Sequence, residues 1–188
     1  MGIILPLASS PFGDNTNIHT IYHEIAYELD VRADSPLKRI FESNPTDLAA
    51  MWQEFKAIVL AGAIPHWVKE MAGVSVALTL GSVPMQQMFT HTLEVQGIHP
   101  VWLTELRAPQ LDPFLIPDDI QAVVMFARSA ARKGFADDID ADILREYGFS
   151  DDEVSEAVAA INLCIRASLY TVHRSMMASP AHQAARAG

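Results

Sequence analysis

Residues 78–92, LTLGSVPMQQMFTHT, decide the fold of this chain. Gly81 interrupts an apolar helical run, and Ser82 can cap a second helix that starts directly after it. Pro84 falls near the first turn of that second helix, where its missing amide hydrogen costs nothing. The stretch therefore predicts a tight hairpin of two helices, with His91 on the second one.

Helical periodicity continues outward from this hairpin in both directions. Apolar residues recur every three or four positions, and Gly and Pro mark the breaks between the periodic runs. Ser150 and Glu153 form a capping box at the start of the longest run. No segment indicates a strand, so the sequence predicts an all-α protein, with helices over 16–29, 37–41, 48–62, 65–80, 83–96, 100–106, 117–133, 140–147 and from 150 onward.

Composition limits the classes of function. The chain has 188 residues, of which 50% are hydrophobic and 19% charged, as expected for one packed domain. A net charge of −10 argues against nucleic acid as a partner, because phosphate binding needs a basic face. Cys164 is the single cysteine, and no apolar run has the length of a signal peptide or a membrane span. We therefore expect a cytoplasmic protein without a disulfide and without a membrane partner.

The order of motifs resembles that of a known family. The hairpin is followed by DDIQAVVMFA and then by LREYGFSDDEVSEAV before the long helix. This order resembles the core of the alkylhydroperoxidase D (AhpD-like) and carboxymuconolactone decarboxylase family, over about residues 45–177. FESNPTDLAAMWQEFKAIVLAG is similar to the extra helices of its peroxidase-related subfamily. The resemblance implies an AhpD-like bundle around a central helical hairpin, with an N-terminal helical extension over 1–44 and a flexible tail over 178–188.

The residues that define redox chemistry in that family are substituted here. Its redox members carry C-x-x-C with a His four residues after the second Cys and a Glu twelve residues before the first. With His91 as the reference, the two sulfur positions fall on Pro84 and Gln87, and the Glu position falls on Ala72. The resemblance thus implies a degenerate, peroxidase-related protein that lacks the dithiol and is not a thiol peroxidase.

Three functions follow from this interpretation. The first is a module without a cofactor, either structural or binding a small molecule, that assembles as a homo-oligomer. The second is a decarboxylase-type enzyme for a small carboxylated substrate, with His91 as general acid or base and Gln87 as a polar anchor. The third is a peroxidase based on Cys164 and an external thiol. We assign His91 as the candidate catalytic residue, and Pro84, Gln87 and Met88 as candidate substrate-binding residues.

Two pairs of side chains have spacings that metal sites also use. Met85 and Met88 could contact copper(I), but two thioethers are weak ligands, so packing is the preferred interpretation. His19 and His23 share one helix face without a third ligand at a suitable spacing. We therefore predict no metal site.

Two further residues have ordinary interpretations. Glu70 lies two residues from the position of the family's Glu, and its side chain should point to the opposite side of the helix. A solvated Glu70 paired with Lys69 or with nearby residues is the expectation. Cys164 lies in the middle of the long helix, without the positive helix end that would activate a thiol. It is expected to be a buried, small apolar residue.

Overall fold

A computed structural model describes residues 18–30 and 45–177, and every regular element in these ranges is helical. The all-α prediction is confirmed for this part of the chain. The predicted short helix over 37–41, the first seventeen residues and the predicted tail over 178–188 lie outside the described residues. The α-helices are α1 (Ile18–Leu29), α2 (Pro45–Phe55), α3 (His66–Leu80), α4 (Val83–Val95), α5 (Pro100–Glu105), α6 (Asp118–Lys133), α7 (Asp142–Glu146) and α8 (Asp151–Met177).

Helix α3 is the centre of the bundle. It packs against α4, α6 and α8, and all of its residues from Val68 to Ala77 are buried. A helix that is buried on every side has no solvated face, so its polar residues must find partners inside the protein. α3 and α8 run in the same direction, because Lys69 meets Glu156 at one end and Ser82 meets Thr171 at the other.

The α3–α4 hairpin forms as the sequence predicts. Gly81 adopts a left-handed conformation with φ 72°, and its amide donates to the carbonyl oxygens of the last turn of α3. Pro84 lies in the first turn of α4. The helices approach closely at Gly73, where an added Cβ would lie 2.7 Å from the ring of Phe89. Ser82 makes no side-chain cap; its hydroxyl pairs instead with that of Thr171, 2.6 Å away.

The predicted helix over 48–62 divides into two parts. The α-helical part ends at Phe55, and a π-helical turn follows over Lys56–Leu60. The Lys69 ammonium, 1% exposed, donates to the carbonyl oxygens of Ile58 and Ala61 and pairs with Glu156. A buried cation that needs acceptors accounts for the departure from regular α-helical hydrogen bonding.

The remaining helices close the bundle. Ser150 and Glu153 form the predicted capping box at the start of α8, since the Glu153 carboxylate accepts from the Ser150 amide at 2.8 Å and the Ser150 hydroxyl accepts from the Glu153 amide. His99 caps α5 by accepting from the amide of Val101. Of the helices that the structure describes, none combines the length and apolar character required to span a bilayer.

Candidate functional site

An apolar cavity lies between α1, α2, α4 and α8. Its volume is ≈ 50 Å³. One water molecule needs roughly 10–15 Å³, so the cavity has room for a few groups of that size. Among the described residues that line it, none has a charged side chain. Tyr22, Met51 and Met88 are only partly buried, so the cavity approaches solvent where α1, α2 and α4 meet. A cavity of this kind accommodates a small uncharged molecule better than an ion.

Aromatic rings form one wall of the cavity. Trp52 stacks on Phe55 with ring centroids 5.7 Å apart, and Phe55 stacks on Phe89 at 6.0 Å. All three side chains are buried. These contacts tie α2 to α4 and present a rigid apolar surface to the cavity.

Sulfur-containing side chains line much of the rest. Met51, Met85, Met88 and Cys164 come from α2, α4 and α8. Cys164 is 1% exposed, as the sequence indicated for a buried apolar residue. Burial raises the pKa of its thiol to about 12, and the negative charge of Glu70 adds to this effect. The thiol is therefore neutral at physiological pH and is not an activated nucleophile.

Glu70 lies close enough to Cys164 to act on it, and its surroundings differ from the prediction. The side chain is 1% exposed, so the expected solvated Glu is wrong. Its carboxylate accepts from Gln96 Nε2 at 2.6 Å, and His66 Nδ1 lies 3.4 Å away. Burial raises the pKa of Glu70, and the hydrogen bonds from Gln96, Thr92 and His66 counter that rise only in part.

Of the partners predicted for Glu70, the structure supports a nearby residue, His66, and not Lys69. Lys69 turns away from Glu70 toward Glu156, whose carboxylate also accepts from the amides of Ala63 at 2.8 Å and Ile64 at 3.2 Å. Neighbouring residues on a helix point about 100° apart, so Lys69 and Glu70 reach different partners. Each charge is satisfied on a different side of α3.

The four residues assigned from the sequence lie in different surroundings. Met88 lines the cavity, whereas Gln87 is exposed and Pro84 borders a groove near the end of α8. His91 lies at the edge of the cavity region, where its Nε2 is 2.8 Å from the carbonyl oxygen of Asp30 at the end of α1. The structure therefore brings Met88 into the cavity and leaves the other three residues outside its lining.

The two pairs of side chains with metal-like spacings lie in different surroundings. Met85 and Met88 both line the cavity, while His19 and His23 are exposed on α1. Among the described residues, no three His, Cys, Asp or Glu side chains are grouped as a metal site would require.

Sequence reasoning missed the lining from α1 and α2 and the burial of Glu70. A signal for Glu70 was present, since apolar residues surround it on every side of α3 and His66 lies four positions before it. The contribution of α1 had no comparable signal, because its amphipathic stripe does not specify the helix that it packs against.

No family model, curated protein or solved structure matches this chain.

Proposed function

We propose that this chain binds a small, uncharged apolar molecule in the cavity between α1, α2, α4 and α8, as an AhpD-like, peroxidase-related protein that has lost the redox dithiol. The observation that carries this proposal is the lining of the cavity. Aromatic rings, aliphatic groups and thioethers make up the part of the lining that the structure describes, and no charged side chain is among them. Such a lining stabilises an apolar ligand through burial and dispersion and disfavours a charged one through desolvation.

The state of Cys164 supports a binding function over thiol peroxidase chemistry. A thiol with a pKa of about 12 is ionised in roughly one molecule in 10⁵ at pH 7. The thiolate is the form that attacks a peroxide. The chain has no second cysteine that could resolve an oxidised thiol.

The decarboxylase alternative receives less support from the geometry. A carboxylated substrate needs a cation or several hydrogen-bond donors to offset its loss of hydration. Within residues 18–30 and 45–177, no Arg, Lys or His lines the cavity, and neither Gln87 nor His91 is part of its lining. In addition, His91 Nε2 is hydrogen-bonded to the Asp30 carbonyl oxygen.

The size of the cavity narrows the class of ligand. A volume of ≈ 50 Å³ corresponds to a few water-sized groups. Apolar cavities that bind benzene have a volume of about 150 Å³, so a ligand with one small ring enters this cavity only when its walls move apart. The stacked rings of Trp52, Phe55 and Phe89 favour an aromatic ligand that packs against their edges or faces.

Toluene and benzoate test the proposal, because they share one ring and differ in charge. We expect saturable toluene binding, measured by calorimetry and by a ligand-dependent rise in Tm, and no benzoate binding at the same concentrations. Ala167→Leu places three additional carbons in the cavity wall and should weaken toluene binding about tenfold or more.

Ala50→Leu is the matched control. Ala50 is exposed on α2, so this variant adds the same side chain outside the cavity and should bind toluene like the wild type. Equal affinity for benzoate and toluene, or unchanged toluene affinity in Ala167→Leu, would contradict the proposal. Preference for benzoate would instead favour the decarboxylase alternative.

A further inference from the structure

Helix α1 covers one side of the cavity. Tyr22, Ile25 and Leu29 are spaced by three and four residues, which places them on one face of α1, and all three line the cavity. The opposite face is solvated, with Tyr27 86% exposed. Removing α1 would expose the aromatic wall and the thiol of Cys164 to solvent.

The attachment of α1 to the described part of the bundle is limited. Its main packing partner is α2, whereas α3 packs extensively against three helices. Elements with few packed neighbours open at a lower free-energy cost than the whole protein unfolds. Local opening of α1 is therefore a route by which the cavity can connect with solvent.

The polar contacts of α1 with the rest of the described bundle include one at its end and one in its middle. At its end, His91 Nε2 lies 2.8 Å from the Asp30 carbonyl oxygen, and because this oxygen can only accept, the ring nitrogen donates. Asp30 has a positive φ of 48°, an uncommon conformation for a residue other than Gly. In the middle of α1, Glu24 pairs with Lys56 of the π-helical turn, and the hydrogen bond from Lys56 lowers the pKa of Glu24.

We propose that α1 is an opening cover of the ligand cavity, held closed by His91 on Asp30 and by Lys56 on Glu24. This inference rests on the proposed function and adds the control of ligand exchange. His91 is then a positioning residue for the cover and takes no part in proton transfer. The two contacts respond differently to salt. Added salt screens the Glu24–Lys56 ion pair but has little effect on the hydrogen bond between His91 and Asp30.

Cys164 is the reporter for the test, because it is the sole cysteine and lines the cavity. The measurement is the rate at which N-ethylmaleimide alkylates it in the native protein. We expect His91→Ala to accelerate alkylation about fivefold, the effect of losing one hydrogen bond of about 1 kcal/mol. Glu24→Gln should accelerate it less, and added salt should accelerate the wild type but not Glu24→Gln.

His173→Ala is the matched control, because it removes the same side chain from an exposed position on α8. Its alkylation rate should equal that of the wild type. Urea unfolding of every variant separates local from global opening. Rates that stay at the wild-type value in both His91→Ala and Glu24→Gln, or that rise only in proportion to a loss of global stability, would overturn the inference.

Protection by toluene separates this inference from the proposed function. Slower alkylation with toluene present, together with faster alkylation in His91→Ala, supports both. Faster alkylation in His91→Ala without toluene protection supports the cover and contradicts the proposed ligand. Toluene protection with identical rates in all variants supports the ligand and contradicts the cover.

Discussion

At the scale of the residue, Glu70 shows how burial and hydrogen bonding compete. The carboxyl is surrounded by the hairpin, and two side chains of α4 and one of α3 contact it. Its raised pKa means that the folded protein binds this proton more tightly than the unfolded chain does. The contribution of Glu70 to the free energy of unfolding is therefore fully present below the ordinary pKa of a Glu. It is lost as pH rises through the pKa of Glu70 in the folded protein.

Glu70→Gln should remove this pH dependence. The amide keeps a similar shape and still accepts from Gln96. We expect the Tm of the variant, relative to the wild type, to increase as pH rises from about 4 to 8, because only the wild type must bury a charge. Thermal unfolding of both proteins in matched buffers measures this difference. A difference in Tm that is constant across that range would show that Glu70 is not buried.

At the scale of the element, the Lys69–Glu156 pair joins α3 and α8 to the turn after α2. Glu156 neutralises a buried ammonium and accepts from the amides of Ala63 and Ile64. Gly62 is required beside it, since an added Cβ there would lie 2.2 Å from the carboxylate. The pair therefore determines the conformation of the chain between Leu60 and α3.

Glu156→Ala should destabilise the protein by about 3 kcal/mol or more, because it leaves Lys69 buried without its counter-ion. Urea unfolding gives the free energy directly. Glu94→Ala, at an exposed position of α4, is the control and should change stability by less than about 0.5 kcal/mol. Similar losses in the two variants would contradict the assigned role of the pair.

The helices themselves were predictable from local signals. Periodicity predicted α3 and α8, Gly81 predicted the break in the hairpin, and the Ser150–Glu153 box predicted the start of α8. Each of these signals lies within a few residues of the feature that it predicts. The π-helical turn was not predictable, because it depends on Lys69, which lies beyond the end of that helix in the sequence.

At the scale of the whole molecule, large apolar side chains lie on the surface. Phe114 is 95% exposed and Ile139 is 81% exposed. Contiguous exposed apolar surface is typical of association sites, whereas apolar side chains that are exposed singly are common. Phe114 and Ile139 therefore serve as probes of an interface. We propose that the chain forms a homo-oligomer of closed symmetry, as the resemblance implied.

Sedimentation velocity at micromolar concentration tests the assembly. We expect a particle of at least twice the 20.7 kDa chain mass, and a shift toward the monomer when Phe114 and Ile139 are both replaced by Ser. Replacement of the exposed Val95 of α4 by Ser is the control for loss of an apolar side chain elsewhere on the surface. A wild-type protein that sediments as a monomer would contradict the proposal.

The candidate site was less predictable than the fold. It requires α1, α2, α4 and α8 to meet, and the sequence does not specify which apolar faces pack together. Met88, predicted to bind a substrate, lines the cavity, whereas Gln87, only one position away, is exposed. Packing between helices that are distant in the sequence determines which of these two side chains lines the cavity. The sequence of the hairpin alone does not indicate that packing.

Methionine methyl NMR tests the central claim, that the cavity binds a small apolar molecule, most directly. With methyl-labelled protein, saturating toluene should shift the resonances of Met51, Met85 and Met88, which line the cavity. Those of Met125 and Met176, exposed on α6 and α8, should stay in place. Shifts confined to the exposed methionines, or none at toluene saturation, would contradict the account.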